Sequence, residues 1–235
     1  MKNASWGSAL VNGVGLISNL MALYAANFVY ENPYATGFGG HFQYLTILGL
    51  TTATLACAVK LLRFFVPGAM EVCYEVLTNI ATPVSMGQLE EEKMEGLISL
   101  LYWSMLFLEP TLLIPEDMPP IPVVVDCALH LYPALFLWID FLVFNINFKR
   151  SPRHVAVIYG FAMFYLAWSW LCQTQNGHWP YPFLDKLTPV PRAGFYLFCG
   201  TLCWIIYEAG AVIHAKLHQP SSTAAYYRKM KAKKL

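Results

Sequence analysis

Six long and nearly continuous apolar stretches follow one another along the chain. They lack the strict alternation of apolar and polar positions that is typical of strands in a membrane barrel. Each is close to the 17–25 residues that a helix needs to cross a bilayer, and in lipid only helices and closed barrels satisfy their own backbone polar groups. The pattern therefore predicts an all-α, polytopic integral membrane helix bundle with about six transmembrane helices, at residues 9–30, 41–65, 96–114, 121–148, 155–173 and 193–215.

Composition narrows the class of protein further. Hydrophobic residues make up 57% of the 235 positions and charged residues only 12%, whereas about a quarter of the residues of a soluble domain are charged. So few charges cannot cover the surface of a soluble globule, so membrane lipid is the expected surrounding. A net charge of +1 and 15% aromatic residues also exclude a disordered chain and a nucleic-acid-binding protein.

The basic residues predict the orientation of the bundle. Short cytoplasmic loops carry an excess of Lys and Arg, and residues 31–40 and 115–120 contain neither. With six spans, the loop after the fourth span and the segment after the sixth lie on one side, so both termini are predicted to be cytosolic. Lys186 and Arg192 on the other side run against the rule. The predicted organisation is a transmembrane bundle over residues 1–218 and a basic cytosolic tail over 219–235. The two basic clusters contain Lys149, Arg150, Arg153, Lys216, Arg228, Lys229, Lys231, Lys233 and Lys234.

The end of the tail contains a possible sorting signal. Lys233 and Lys231 are the third and fifth residues from the last residue of the sequence. This spacing resembles the dilysine signal that returns membrane proteins to the endoplasmic reticulum, which implies recognition of the tail by coat proteins. A plain basic tail that contacts anionic lipid explains the same residues, and both interpretations stay open.

Polar residues inside the apolar stretches are the candidates for chemistry, because ionisable groups in hydrocarbon are costly. At 1.5 Å per residue, Thr46 is expected about 8 Å and His130 roughly 13 Å from the same face of the membrane. A hydroxyl beside an imidazole is the minimum for nucleophilic acyl chemistry. Asp126 lies one helical turn before His130 and on the same face, which suits an orienting role. A threonine bonded to its own backbone and a histidine that only packs are the competing interpretation.

The remaining carboxylates and the cysteines of the apolar stretches predict no further catalytic or metal centre. Asp140 and Glu208 fall in the cytosolic half, where partners among the Lys and Arg residues are expected. Glu109 interrupts the third stretch next to Pro110. The six cysteines contain no CxxC pair and suit buried free thiols. Hydrolase elbows, zinc motifs and nucleotide-binding loops are absent from the sequence, so neither a cofactor nor a metal ion is predicted.

Several segments, taken in order, resemble one family. Residues 39–46, GGHFQYLT, are similar to a Gly-Gly-x-aromatic-x-aromatic-Leu-Thr segment of the androgen-induced and androgen-dependent membrane proteins. Residues 97–103, the segment around His130, and residues 179–184, WPYPFL, resemble later segments of the same proteins. The resemblance extends over residues 39–218, and its weaker similarities include fungal members.

This resemblance implies an activity. Members of the family are multi-span membrane threonine hydrolases that cleave fatty acid esters of hydroxy fatty acids, which implies Thr46 as the nucleophile and His130 as the second catalytic residue. Asp126 and Cys127 stand where animal members have Asn and His, so the resemblance assigns no role to Asp126. The stretch between the third and fourth spans is also shorter here, which leaves substrate preference open.

Two other classes of function remain as alternatives. A non-enzymatic lipid-binding or transport protein would use Thr46 and His130 only for hydrogen bonds between helices. A membrane adaptor would act through its basic tail. The enzyme hypothesis predicts a lipid ester as the substrate, Thr46 as the site of an acyl-enzyme and His130 as the base.

Overall fold

The structure, a computed structural model, describes residues 5–30, 32–66, 91–115, 118, 121–145, 148 and 150–218. These residues form helices and connecting loops, as the apolar pattern predicts, so the all-α prediction is confirmed. The helices are α1 Trp6–Tyr24, α2 Leu45–Phe65, α3 Glu91–Leu108, α4 Val123–His130, α5 Tyr132–Ile139, α6 Pro152–Asn176, α7 Pro182–Asp185 and α8 Pro189–Leu217. Two of them continue into a π-helical turn, α1 through Ala25–Val29 and α5 through Asp140–Phe144.

Local signals fix several helix ends. The Ser5 side chain accepts a hydrogen bond from the Gly7 amide at 3.1 Å and caps α1. Ser151 caps α6 in the same way, with Pro152 as the first helical residue, where its missing N–H costs nothing. Gly177 ends α6 with a φ of 79°, a conformation that favours glycine.

Four helices are long and apolar enough to cross a membrane within the described residues: Trp6–Val29, Leu45–Phe65, Pro152–Asn176 and Pro189–Leu217. Large apolar side chains on their outer faces are exposed, among them Ile17, Leu55 and Phe164, and such faces suit contact with lipid tails. The predicted fourth span is a fifth candidate, although it is not one straight helix. The count of six therefore stays a prediction.

The third predicted span is shorter than expected. Its helix ends at Leu108, because Glu109 is extended and Pro110 starts a separate 3-10 turn. The apolar part, Glu95–Leu108, is about 21 Å long at 1.5 Å per residue. A bilayer core is about 30 Å thick, so this helix does not span it alone, and the residues up to 114 that were expected to extend it form turns.

The fourth predicted span is bent by 45° between Val123–His130 and Tyr132–Phe144. Pro133 lies just after the break and has no N–H to donate to the carbonyl of Leu129, which a continuous helix requires. The Ser99 hydroxyl from α3 donates to the His130 carbonyl at the break. This hydrogen bond holds the backbone of His130, the last residue before the bend, against α3.

The segments that connect the helices lie at the two ends of the bundle, where contacts hold them together. At one end, the Phe38 amide donates to the Asn176 side chain at 2.7 Å, and the rings of Tyr34 and His178 are in contact. At the other end, Lys60 pairs with Asp140 at 3.1 Å. We call the first the loop end and the second the ion-pair end.

The predicted orientation and the tail rest on the sequence alone. The ion-pair end is the one predicted to be cytosolic. Lys231 and Lys233, the predicted sorting signal, lie outside the described residues. The basic tail, the cytosolic location of both termini and the residence in the endoplasmic reticulum therefore stay predictions.

Candidate active site

Thr46 lies in the first turn of α2, which begins at Leu45. The sequence estimate counted the helix from His41, but Gly40–Gln43 forms a separate 3-10 turn. Thr46 therefore lies nearer the loop end than the estimated depth of about 8 Å. The first amides of a helix have no partner within it and carry partial positive charge. The Thr46 hydroxyl is thus placed where a developing negative charge is stabilised.

The turn that leads to Thr46 is closely held. Gly39 has a φ of 83°, and a Cβ atom there would lie 2.9 Å from the Cys172 sulfur, so glycine is required on two grounds. Gln43 is fully buried, and its carbonyl accepts a hydrogen bond from the Tyr165 hydroxyl at 3.0 Å. These contacts to α6 fix the direction in which α2 begins.

Three side chains form a stacked and hydrogen-bonded group around His130. The His130 Nδ1 lies 2.8 Å from the Asp126 carboxylate, and both residues are buried. This contact suits an imidazole that donates from Nδ1 to the carboxylate, the tautomer in which Nε2 is the basic nitrogen. The ring of Tyr102 stacks on the imidazole with 3.4 Å between centroids and 4° between planes. The geometry predicted for Asp126, on the same helical face as His130, is observed.

Two cavities meet at Thr46. The apolar cavity has a volume of about 340 Å³, and the vestibule at the loop end has about 720 Å³. Thr46, Tyr102 and Tyr181 line both, whereas His130 lines only the vestibule. The structure thus brings the two predicted residues, Thr46 and His130, to one space. The wall of the apolar cavity includes Leu97, Ile98, Leu101, Met105, Ile158, Phe161, Phe195, Tyr196, Cys199 and Cys203.

The apolar cavity runs along the helices, away from the loop end. Its lining residues on α3 extend from Met105 to Leu97, and those on α8 from Phe195 to Cys203. Eight residues of helix correspond to about 12 Å. The cavity is therefore long and narrow, and Thr46 stands at its mouth.

The vestibule is more polar than the apolar cavity and carries few charges. Its wall includes Tyr44, His41 and His178, with Asp185 and Lys186 at the exposed rim. Burial lowers the pKa of His41 below its usual value of 6.5 and raises the pKa of Tyr44 to about 12. Both side chains are therefore neutral at pH 7, and the Asp and Lys residues that line the vestibule, Asp185 and Lys186, lie at its rim.

Tyr181 is a further polar residue beside the first turn of α2. Its hydroxyl accepts a hydrogen bond from the Leu45 amide at 3.1 Å and interacts with the side chains of Tyr165 and Thr46. Burial raises the pKa of Tyr181 above the usual value of 10.0. The phenol is thus protonated at neutral pH and retains a proton to donate.

Asp140 and Glu208 are paired with cations at the ion-pair end, as expected, whereas Glu109 is exposed and accepts a hydrogen bond from the Thr111 hydroxyl. Asp140 accepts hydrogen bonds from Asn12 at 2.8 Å and from Ser8, in addition to its ion pair with Lys60. Glu208 pairs with Arg150. Within the part of the chain that the structure describes, no group of three or more His, Cys, Asp or Glu side chains is arranged to hold a metal ion.

The family follows from comparison with known proteins. Residues 8–215 match the profile described as "FAR-17a/AIG1-like protein". The chain belongs to this family. Its membership confirms the resemblance read from residues 39–46, 97–103 and 179–184, which all lie within the matched region.

Relatives in the FAR-17a/AIG1-like family include two fungal membrane proteins. A UPF0641 membrane protein of Schizosaccharomyces pombe is 29% identical over 82% of this chain and 84% of its own length. A UPF0641 membrane protein of Saccharomyces cerevisiae is 26% identical over 74% and 77%. The androgen-dependent TFPI-regulating protein of Mesocricetus auratus is 22% identical over 75% and 76%. No solved structure matches the chain.

Sequence reasoning missed three site residues of this FAR-17a/AIG1-like protein. Ser99 holds the backbone of His130, Tyr102 stacks on its ring, and Tyr181 contacts the first turn of α2. None is charged at neutral pH, so a search for ionisable groups in apolar stretches passes over them. All three nevertheless lie in the segments that carry the family resemblance, which is the signal that identifies them.

Proposed function

We propose that this protein is a membrane-embedded threonine hydrolase that cleaves lipid esters, such as fatty acid esters of hydroxy fatty acids. The observation that carries the proposal is the position of Thr46 at the junction of an apolar cavity and a more polar vestibule that His130 also lines. A fatty acid ester is divided in the same way into an apolar and a polar part, because its apolar acyl chain ends in a polar ester group. The family membership supports a membrane enzyme of this kind.

In the proposed reaction the acyl chain occupies the apolar cavity and the alcohol part occupies the vestibule. The Thr46 oxygen attacks the ester carbonyl carbon while Nε2 of His130 takes the hydroxyl proton. The ester C–O bond then breaks, and the imidazolium returns the proton to the departing alcohol. Water next attacks the acyl-Thr46 ester by the same route, which releases the fatty acid and restores the Thr46 hydroxyl.

Asp126 supports this role of His130 through the second ring nitrogen. A hydrogen bond at Nδ1 sets the tautomer and leaves Nε2 free to act as the base. The stacked ring of Tyr102 restricts rotation of the imidazole. Apolar walls also exclude bulk water from the acyl chain, so water reaches Thr46 from the vestibule.

Labelling with an alkyl fluorophosphonate tests the proposal directly. We expect the Thr46 oxygen to displace fluoride from phosphorus, giving a covalent adduct that peptide mass spectrometry maps to Thr46. Thr46→Val should abolish labelling. The matched control is Thr51→Val on the same helix, because the Thr51 hydroxyl donates to the Ile47 carbonyl at 2.7 Å and lines neither cavity.

The outcomes separate the enzyme from the lipid-binding alternative. An adduct at Thr46 in the wild type and in Thr51→Val supports the hydrolase. A wild-type protein that binds ester lipids but neither hydrolyses them nor forms an adduct at Thr46 contradicts it and favours a lipid-binding or transport protein.

The far end of the apolar cavity predicts the chain-length preference. Cys203 lies there, buried against Leu97 and Ile158, so Cys203→Phe should shorten the cavity. Burying one methylene contributes about 0.8 kcal/mol, so each methylene that is excluded should lower kcat/KM about fourfold. We expect short acyl esters to react as in the wild type and long ones to react more slowly, measured across a series of chain lengths.

A control for this substitution lies two residues further along α8. Ile205 is more than half exposed and does not line the cavity, so Ile205→Phe adds the same ring on the outside of the helix. It should leave the chain-length profile unchanged. An unchanged profile in Cys203→Phe would show that the acyl chain does not occupy this cavity.

A further inference from the structure

The hydroxyl of Tyr181 has a hydrogen-bonding state that its surroundings define. It accepts the Leu45 amide proton at 3.1 Å. The Tyr165 hydroxyl, which donates its own proton to the Gln43 carbonyl, is a second hydrogen-bond neighbour and can accept the Tyr181 proton when no substrate is bound. The Thr46 side chain is beside the Tyr181 hydroxyl, and both of these residues line the junction of the two cavities. The Tyr181 hydroxyl therefore lies at the edge of the space in which the carbonyl of an ester attacked by Thr46 would lie, where its proton can turn from Tyr165 to the substrate.

The segment that carries Tyr181 is rigid, which a preorganised donor requires. Its ring makes an edge contact with Tyr44, with 5.8 Å between centroids. Arg192 donates to the Leu184 carbonyl at 2.9 Å and lies 4.2 Å from the centroid of the Trp179 ring. Trp179 and Leu184 are buried. The loop on both sides of Tyr181 is therefore fixed to the bundle before any substrate enters.

We propose that Tyr181 is a catalytic residue whose hydroxyl donates a hydrogen bond to the carbonyl oxygen of the ester while Thr46 attacks. This inference rests on the proposed hydrolase function and assigns its missing oxyanion donor. As the bond from Thr46 to the carbonyl carbon forms, the carbonyl π electrons move to oxygen, and the phenol stabilises that charge. When the C–O bond to the alcohol breaks, the electrons return and the carbonyl re-forms. Tyr181 keeps its proton throughout, and His130 alone transfers one.

The local electrostatic field would also stabilise an oxyanion at this position. The first turn of α2 adds partial positive charge at the same point, and its amides lack partners within the helix. The raised pKa of Tyr181 is consistent with a neutral donor at the pH of the reaction. A hydroxyl and a helix terminus that act on one oxygen resemble the arrangement of donors found in oxyanion holes.

The test is Tyr181→Phe in the full-length protein, which removes one oxygen and keeps the ring. Loss of one such donor lowers kcat by about 10²–10³-fold, and we expect a fall of this size with little change in KM. The matched control is Tyr159→Phe, since the Tyr159 hydroxyl contacts Thr201 at 3.2 Å and Tyr159 lines neither cavity. This control should keep wild-type kinetics.

Inhibitor affinities distinguish an oxyanion donor from a residue that only holds the helix end. An alkyl trifluoromethyl ketone forms a tetrahedral adduct with Thr46 and carries the oxyanion, whereas the corresponding ether lipid has no carbonyl oxygen. In Tyr181→Phe the affinity for the ketone should fall by the same factor as kcat/KM, and the affinity for the ether should not change.

Three results would overturn the inference. Near-normal kcat in Tyr181→Phe would do so alone and would leave the hydrolase intact. Equal losses of ketone and ether affinity, or a loss of folding that Tyr159→Phe does not share, would assign Tyr181 to structure only. A wild-type protein that cleaves no ester and forms no adduct at Thr46 would overturn the proposed function itself, and this inference with it.

Discussion

Replacement of Thr46 with valine is expected to lower ester hydrolysis by a factor on the order of 10⁴ or more, which is the scale for removal of a nucleophile. Valine keeps the β-branched shape and removes the hydroxyl, so the first turn of α2 should still form. The measurement is steady-state cleavage of a long-chain ester by purified protein in lipid nanodiscs. The melting temperature of each variant is recorded alongside.

Two further variants test whether the loss of activity is due to the Thr46 hydroxyl. Thr46→Ser retains a hydroxyl in a similar position and should recover part of the activity together with the covalent adduct. Thr51→Val should have wild-type activity, because the Thr51 hydroxyl is bonded within its own helix. Hydrolysis by Thr46→Val at the wild-type rate would exclude Thr46 as the nucleophile, whatever its position.

The site could be predicted in part because ionisable groups are rare in apolar stretches. His130 stood out for that reason, and Asp126 followed from the helical repeat of 3.6 residues. Helix periodicity cannot give the stacking of Tyr102 on His130, because that contact joins two helices that are distant in sequence. The same holds for Tyr181, which meets Leu45 across 136 positions.

The fold was predictable to the level of helices in lipid and no further. Hydropathy identified all the apolar stretches, but it carries no information on where a helix stops. The observed helices differ from the predicted spans at two prolines. Pro110 follows the early end of α3, and Pro133 follows the break in the fourth stretch beside His130. Both prolines are visible in the sequence, yet prolines also occur inside membrane helices when neighbours satisfy the freed carbonyls. Whether a proline ends a helix therefore depends on contacts between helices, which the sequence does not show.

Thr46 and His130 line one space although the depths of about 8 and roughly 13 Å expected for them assumed long, straight helices. Thr46 lies higher in α2 than expected, since Gly40–Gln43 is not part of the helix. The break after His130 changes the direction of the chain by 45°. The shared vestibule therefore lies beside two local departures from straight helices, the 3-10 turn before α2 and the break after His130.

Replacement of His130 with glutamine is expected to reduce hydrolysis to a similar extent as Thr46→Val, since the nucleophile and its base act as a unit. Glutamine can still donate a hydrogen bond towards the Asp126 carboxylate, so the buried carboxylate keeps a partner. Fluorophosphonate labelling of Thr46 should become slow but should still occur, because the hydroxyl remains. This difference in labelling separates loss of the base from loss of the nucleophile.

The double variant Thr46→Val with His130→Gln gives the decisive comparison. If the two residues share one step, the double variant should be no slower than the slower single variant, whereas independent effects would multiply. His218→Gln is the matched control, because His218 contacts the Leu142 carbonyl at 2.9 Å and lines neither cavity. Multiplicative losses in the double variant would show that His130 does not act on Thr46. Unchanged labelling and turnover in His130→Gln would leave the imidazole as a packing residue at the bend.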